Sequence, residues 1–210
     1  MTPLFAGRMR QPRGSVRVPV LFVIVGALVV AAVLAWPAIR QTRDMARLQR
    51  ARRDASAIAG ALVRFYQDNG FFPLWDQIGA GRLGRVDLLV SDGMAPEVPA
   101  HSAWSTGRLG LLADDLVTNK PSYAVREDPE GMGWAGPYLP EPPGPDPWGH
   151  QYVVNIGLIP SADAPPDEAG AAKYAVWVLS AGPDGIIQTP FRQLIADATL
   201  AGDDIGVRLQ

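Results

Sequence analysis

From Val18 to Trp36 the chain is uncharged and almost wholly apolar, a stretch that spans about 28 Å as an α-helix and so matches the thickness of a bilayer core. Beyond Pro37 the pattern becomes periodic. Met45, Leu48, Ala51, Ala55, Ile58, Leu62 and Phe65 recur every three or four positions, with Arg and Asp on the remaining faces, which predicts one amphipathic helix continuing the apolar segment. Asp68-Asn69-Gly70 supplies a stop, and Pro73 prevents resumption. The expected helix is therefore roughly 75 Å long at 1.5 Å per residue, with Pro37 as a kink.

After residue 70 the apolar runs are short. Val86 to Val90 and Leu109 to Val117 are separated by Gly, Pro and Ser clusters, and predict loops with one short helix near Leu109–Leu116. Pro137 to Pro147 is too rich in proline for helix or central strand and reads as an extended connector. Gln151–Ile156 and Lys173–Leu179 are β-branched and aromatic and are bounded by turn residues, which predicts antiparallel strands, with Ile205–Leu209 as a third. Thr189-Pro190 has the form of an N-cap and first helical residue, so Pro190–Leu200 is expected to be a short helix. The fold class that follows is α+β: a long N-terminal transmembrane helix packed on a small C-terminal antiparallel sheet. In segments, 1–17 is expected as a cytoplasmic basic leader, 18–70 as the transmembrane and extended amphipathic helix, 71–145 as a variable loop region with a short helix, and 146–210 as the sheet with a candidate cation-binding loop.

Composition narrows the chemistry. The chain has 210 residues and a formal net charge of -2, which gives no overall electrostatic drive toward nucleic acid. There is no cysteine, so neither a disulfide framework nor a thiolate site is available, and Gly 22 with Pro 20 favours a domain rich in turns. Arginines flank the apolar segment on both sides, from Arg8 to Arg17 and from Arg40 to Arg53, so charge bias alone does not orient the span. The second group lacks interleaved aromatics and reads as a set of headgroup-facing side chains rather than a nucleic-acid surface. The apolar segment ends at Trp36-Pro37 rather than at small residues, unlike a cleavable secretion signal.

Three local patterns are candidates for chemistry. Asp146-Pro147-Trp148-Gly149 reads as a turn in which Asp146 caps, Gly149 takes a left-handed conformation and Trp148 covers the core. Gly182-Pro183-Asp184-Gly185 is a turn after a strand, and Asp203-Asp204 precedes the next strand. If those turns meet, three carboxylates converge, and hard oxygens suit Ca²⁺, with carbonyls of Leu179 or Ser180 as further donors. Gly79-Ala80-Gly81-Arg82-Leu83-Gly84 matches a dinucleotide pattern formally but lacks a βαβ context and reads as a loop. His101 and His150 stand apart, and no metalloprotease or serine-hydrolase motif is present, so a catalytic role is not expected.

The order of several of these segments resembles the major pseudopilin of bacterial type II secretion systems and, more distantly, type IV pilins. The pieces that carry it are the apolar helix, Tyr66 to Gly70 with Phe72-Pro73, Leu139-Pro140, Asp146 to Gly149 with Tyr152, Leu179 to Gly185, and Asp203 to Ile205. The resemblance implies an inner-membrane protein with a single pass and a periplasmic domain. It also implies copies associating through their N-terminal helices, with other pseudopilins and the secretion platform as partners. Structural Ca²⁺ would be bound by Asp184, Asp203 and Asp204, with Leu179 or Ser180 contributing backbone oxygens. Prepilin peptidase in that family cuts after a glycine, and Gly14-Ser15 is the candidate bond. Ser15 and Pro19 stand where the family has an aromatic or Met residue and a Glu. A pilin-like, membrane-anchored binding or sensor module that does not assemble, recognising a ligand through residues 74–136, is the alternative.

Overall fold

The structure is a computed structural model, and it describes residues 18–77, 83–100, 102–160 and 173–209. The chain divides into two units, one ending at Met45 and the other running from Ala46. The first helix, α1, covers Val18–Asn69, passes through Pro37 without a break, and belongs to both.

In the first unit, α1 is long and apolar enough to cross a membrane. Phe22, Val23, Leu28, Val29, Val33 and Leu34 are all exposed. Arg40 places its guanidinium 5.1 Å from the centre of the Trp36 ring, the pairing of an amphipathic aromatic with a cation that suits a membrane–water boundary.

In the second unit the expected stripe is buried from Ala51 onward: Ala51, Ala55, Ile58, Leu62 and Phe65 are sealed from solvent, and the small residues Ala59 and Ala61 join them. Met45 stays exposed and Leu48 half-buried, so the stripe starts to act as core only at Ala51. The helix ends where Asp68-Asn69-Gly70 predicts. Gly70 has φ 77° and donates its N–H to Tyr66 O at 2.7 Å, closing the last turn.

A two-stranded ribbon follows, β1 (Trp75–Gln77) against β2 (Leu83–Arg85). The main sheet contains β3 (Leu88–Val90), β4 (Leu109–Leu111), β5 (Val153–Val154), β6 (Trp177–Ser180) and β7 (Ile205–Arg208), in the order β4-β3-β5-β6-β7. β3 and β4 are parallel and the other pairs antiparallel, so the sheet is mixed rather than antiparallel. The coarse α+β expectation is met. The sheet is not confined to the C-terminal segment, because β3 and β4 come from the stretch expected to be loops.

Both faces are covered. Leu89, Val154 and Val178 share a core with the α1 residues, while Leu88, Val90, Val153, Trp177 and Leu179 pack on the opposite face with Trp104 and Ile187. Burial on both sides explains why these strands read as continuous apolar runs rather than alternating ones. Trp104 comes from a short helix, α2 (Ala103–Thr106), and its indole N–H donates to Thr189 O at 2.8 Å.

Two expected helices are corrected. Leu109–Leu111 is strand, and helical turns begin only at Leu112 and continue through Asp114–Thr118. The reason lies at Gly110, where a Cβ would come within 3.0 Å of Leu89 and 3.1 Å of Val86. The missing side chain lets β4 close against β3. Pro190–Leu200 forms only a single 3₁₀ turn at Ile195–Asp197. Thr189 does not cap a helix; its hydroxyl accepts from Ala201 N at 3.1 Å and ties the two ends of this loop together. Trp148 is half-buried and belongs to neither core, so it does not cover the core as expected.

Candidate functional site

Antiparallel pairing of β6 with β7 sets Ser180 opposite Ile205. The turn that leaves β6 and the turn that enters β7 must therefore lie side by side. Asp184 in the first donates its backbone N–H to Oδ2 of Asp203 in the second, at 3.2 Å.

The three aspartates then differ. Asp184 is exposed, and its carboxylate accepts from Ile186 N and from Gln188 Nε2, both at 2.8 Å. Asp204 is buried, and its Oδ2 accepts from Gln188 N at 3.0 Å and Thr189 N at 2.6 Å. Oδ1 of Asp203 and Oδ1 of Asp204 are both buried with no hydrogen-bond partner among the described residues. Burial raises the pKa of each above the ordinary Asp value. Hydrogen bonds from Asp184 N to Asp203, and from Thr189 and Gln188 to Asp204, oppose the rise. The negative charge of Asp184 adds to it for Asp203, and that of Asp203 adds to it for Asp204.

Gln188 links the cluster. Its side-chain oxygen accepts from Asp203 N at 3.1 Å while its amide nitrogen donates to Asp184. Nothing in the sequence distinguished this residue, because its role depends on the loop between β6 and β7 folding back.

Ser180 and Leu179 occupy β6, and Leu179 is paired on both sides, with Val153 and with Gly206. The Ser180 hydroxyl is committed elsewhere: it donates to Asp146 Oδ2 at 2.6 Å and accepts from Gly182 N at 3.2 Å. Asp146 in turn accepts through Oδ1 from Trp148 N and His150 N, both at 2.9 Å. Two motifs that read as separate turns are thus one buried network. His150 lies against Gly185, where a Cβ would stand 2.6 Å from the imidazole, and the φ of 75° at Gly185 independently favours glycine.

No family model, curated protein or solved structure matches this chain.

Chemically, the arrangement offers two buried carboxyl oxygens, Oδ1 of Asp203 and Oδ1 of Asp204, without a hydrogen-bond donor among the described residues, a state that is costly when the groups are charged. A proton or a cation relieves it, and carboxylate oxygens select hard cations. Among the described residues, no three His, Asp or Glu side chains are already gathered at metal-ligand spacing, and the Asp184 carboxylate is hydrogen-bonded to Ile186 N and Gln188 Nε2. Gly14 and Ser15 lie outside the described residues, as do His101 and most of the Gly79–Gly84 loop.

Proposed function

We propose that this chain is a pseudopilin-like structural subunit of a periplasmic fibre in type II protein secretion, with a pilin-like fold and a structural Ca²⁺. The observation that carries the reading is the change of environment along α1. Its large apolar residues from Phe22 to Leu34 are exposed, whereas from Ala51 to Phe65 the same helix supplies the core of its own domain. An exposed apolar surface of membrane length is stable in lipid or against like helices, and copies that bundle bury it. Each Å² removed from water contributes up to about 25 cal/mol. In this reading the first unit holds the subunit in the inner membrane and later lines the fibre, and the second unit is periplasmic.

The residues between β6 and β7 fit a hard cation in their donor chemistry. Oδ1 of Asp203 and Oδ1 of Asp204 supply charge, and Asp184 joins them if Gln188 releases its carboxylate. The Leu179 and Ser180 carbonyls are the remaining candidates from the family resemblance. Ca²⁺ would offset the repulsion among these groups and tie the loop, stabilising the folded domain by linkage.

Formaldehyde treatment of cells producing the full chain tests the assembly. A ladder of multimers is expected; a chain that stays monomeric would favour the anchored binding or sensor module instead. N-terminal sequencing of membrane-extracted protein reports on prepilin peptidase, a start at Ser15 marking cleavage after Gly14.

A further inference from the structure

β4 forms one edge of the main sheet, and among the described residues no strand pairs with its outer side. Its register is parallel to β3, with Leu88 opposite Leu109, and Leu88 donates its N–H to Arg108 O at 3.0 Å. A residue bridged in that way turns its own N–H and C=O away from the partner strand, so Leu109 points its backbone groups outward, and Leu111, two positions on, does the same. The strand Leu109-Gly110-Leu111 thus presents an open hydrogen-bonding edge. Natural edges are blunted by charge, proline or a bulge, and these three residues carry neither charge nor proline.

The side chains along this edge are apolar and open. Leu109 and Leu111 are 55% and 45% exposed, and they lie on the face of Leu88 and Val90, their pairing partners, opposite to α1. Leu109 also walls a cavity of about 270 Å³ together with Leu88, Val90, Trp104 and Ile187. That volume lies just below the roughly 300–1,000 Å³ of small-molecule pockets and suits a single side chain. Charge enters at Arg108, which is exposed at the start of the strand. The flanking carboxylates have their own donors: Oδ2 of Asp87 accepts from the backbone N–H of Arg108 at 2.9 Å, and Asp114 pairs with Lys120 at 2.6 Å. The Arg108 guanidinium has no hydrogen-bond or ion-pair partner among the described residues.

We propose that the β4 edge binds an extended peptide as an added antiparallel strand, with an apolar residue opposite Leu111, an aromatic residue opposite Leu109 and a carboxylate opposite Arg108. Main-chain hydrogen bonds to both leucines supply the affinity, and alternate side chains supply the choice of sequence. Residues directly opposite share a face of the sheet, so the aromatic ring packs on Leu109 and leans toward the cavity, and the facing opposite charges attract. A second copy offering its own β4 is the poorer partner. Setting Leu109 against Leu109 or against Leu111 places Gly110 or Leu112 opposite Arg108, and neither brings a carboxylate. The site does not depend on whether copies of the chain assemble.

The test uses the full chain in lipid nanodiscs and the labelled peptide Thr-Leu-Thr-Phe-Glu-Thr, with binding read by fluorescence polarisation and amide exchange. Bound peptide is expected to slow exchange at Leu109 and Leu111. N-methylation of the peptide's Leu and Phe, whose N–H groups face β4, should weaken binding about tenfold or more, whereas N-methylation of its central Thr and its Glu should leave binding unchanged. R108E should weaken the Glu peptide about fivefold, the size of one surface ion pair, and a peptide with Lys in place of Glu should recover that loss. Because the methyl groups are on the peptide, folding of the protein is not in question. Unaltered exchange at Leu109 and Leu111, or equal binding of the two methylated peptides, would overturn the strand assignment. Equal binding of the Glu peptide to R108E and to the unaltered chain would overturn the carboxylate preference.

Discussion

Ser180 donates its hydroxyl to Oδ2 of Asp146 at 2.6 Å, and both residues are buried. Through this one contact the turn before β5 is fixed to the end of β6, where the aspartate cluster begins. Removing the hydroxyl leaves a buried carboxylate oxygen and Gly182 N without their partner. S180A is expected to destabilise the domain by about 1–3 kcal/mol, read as a lower midpoint in urea denaturation of the detergent-solubilised chain. A midpoint equal to wild type would mean that water replaces the serine without cost.

The aspartate cluster predicts a pH dependence whose sign depends on metal. The folded state holds the Asp203 and Asp204 carboxyls above the ordinary value of about 3.9, so it binds their protons more tightly than the unfolded chain does. In EDTA, their contribution to stability therefore falls as pH rises from near that value through the raised folded pKa values, and is level beyond. D204N removes its share of this slope. Added Ca²⁺ should raise the melting temperature at neutral pH and lose its effect as acid protonates the carboxyls. Melting curves that coincide in EDTA and in Ca²⁺ at neutral pH would remove the metal from the account.

The two halves of α1 should respond differently to the same truncation. L62A empties a fully buried site and is expected to cost about 2–5 kcal/mol in domain stability. L34A shortens a side chain that is 74% exposed and should leave the domain midpoint unchanged. Paired denaturation curves of the two variants check this, and equal losses would mean that the apolar segment is part of the domain's cooperative unit.

At the sheet edge, G110V is expected to separate β4 from β3, since the added branch meets Leu89 and Val86. A loss of about 1–3 kcal/mol with faster amide exchange at Leu88–Val90 is the outcome to look for. Retained protection there would show that the edge absorbs the bulk.

What could be read beforehand divides by range of interaction. The core stripe from Ala51 to Phe65 follows from spacing on a single helix, and its stop at Gly70 follows from local turn chemistry. Ile205–Arg208 and Trp177–Ser180 were visible because their apolar runs sit between turn residues. β3 and β4 were missed, since Leu88-Leu89-Val90 and Leu109-Gly110-Leu111 have no period of their own and become strands only by pairing with each other and with β5. Likewise the acidic pair and the Gly-Pro-Asp-Gly turn were legible as neighbours once antiparallel strands were assumed, but Gln188 was not.

The sequence by itself determined that a continuous apolar helix leads into an amphipathic one and that acidic residues stand in the Gly-Pro-Asp-Gly turn and just before the last strand, because helix periodicity and turn chemistry are set by residues close along the chain. Tertiary structure alone decided that the sheet is mixed, that Asp146 is bound to Ser180, and that Asp203 and Asp204 each retain a buried oxygen without a partner among the described residues. Those outcomes depend on which distant strands pair, and pairing follows the total apolar surface covered on both faces of the sheet rather than any local preference.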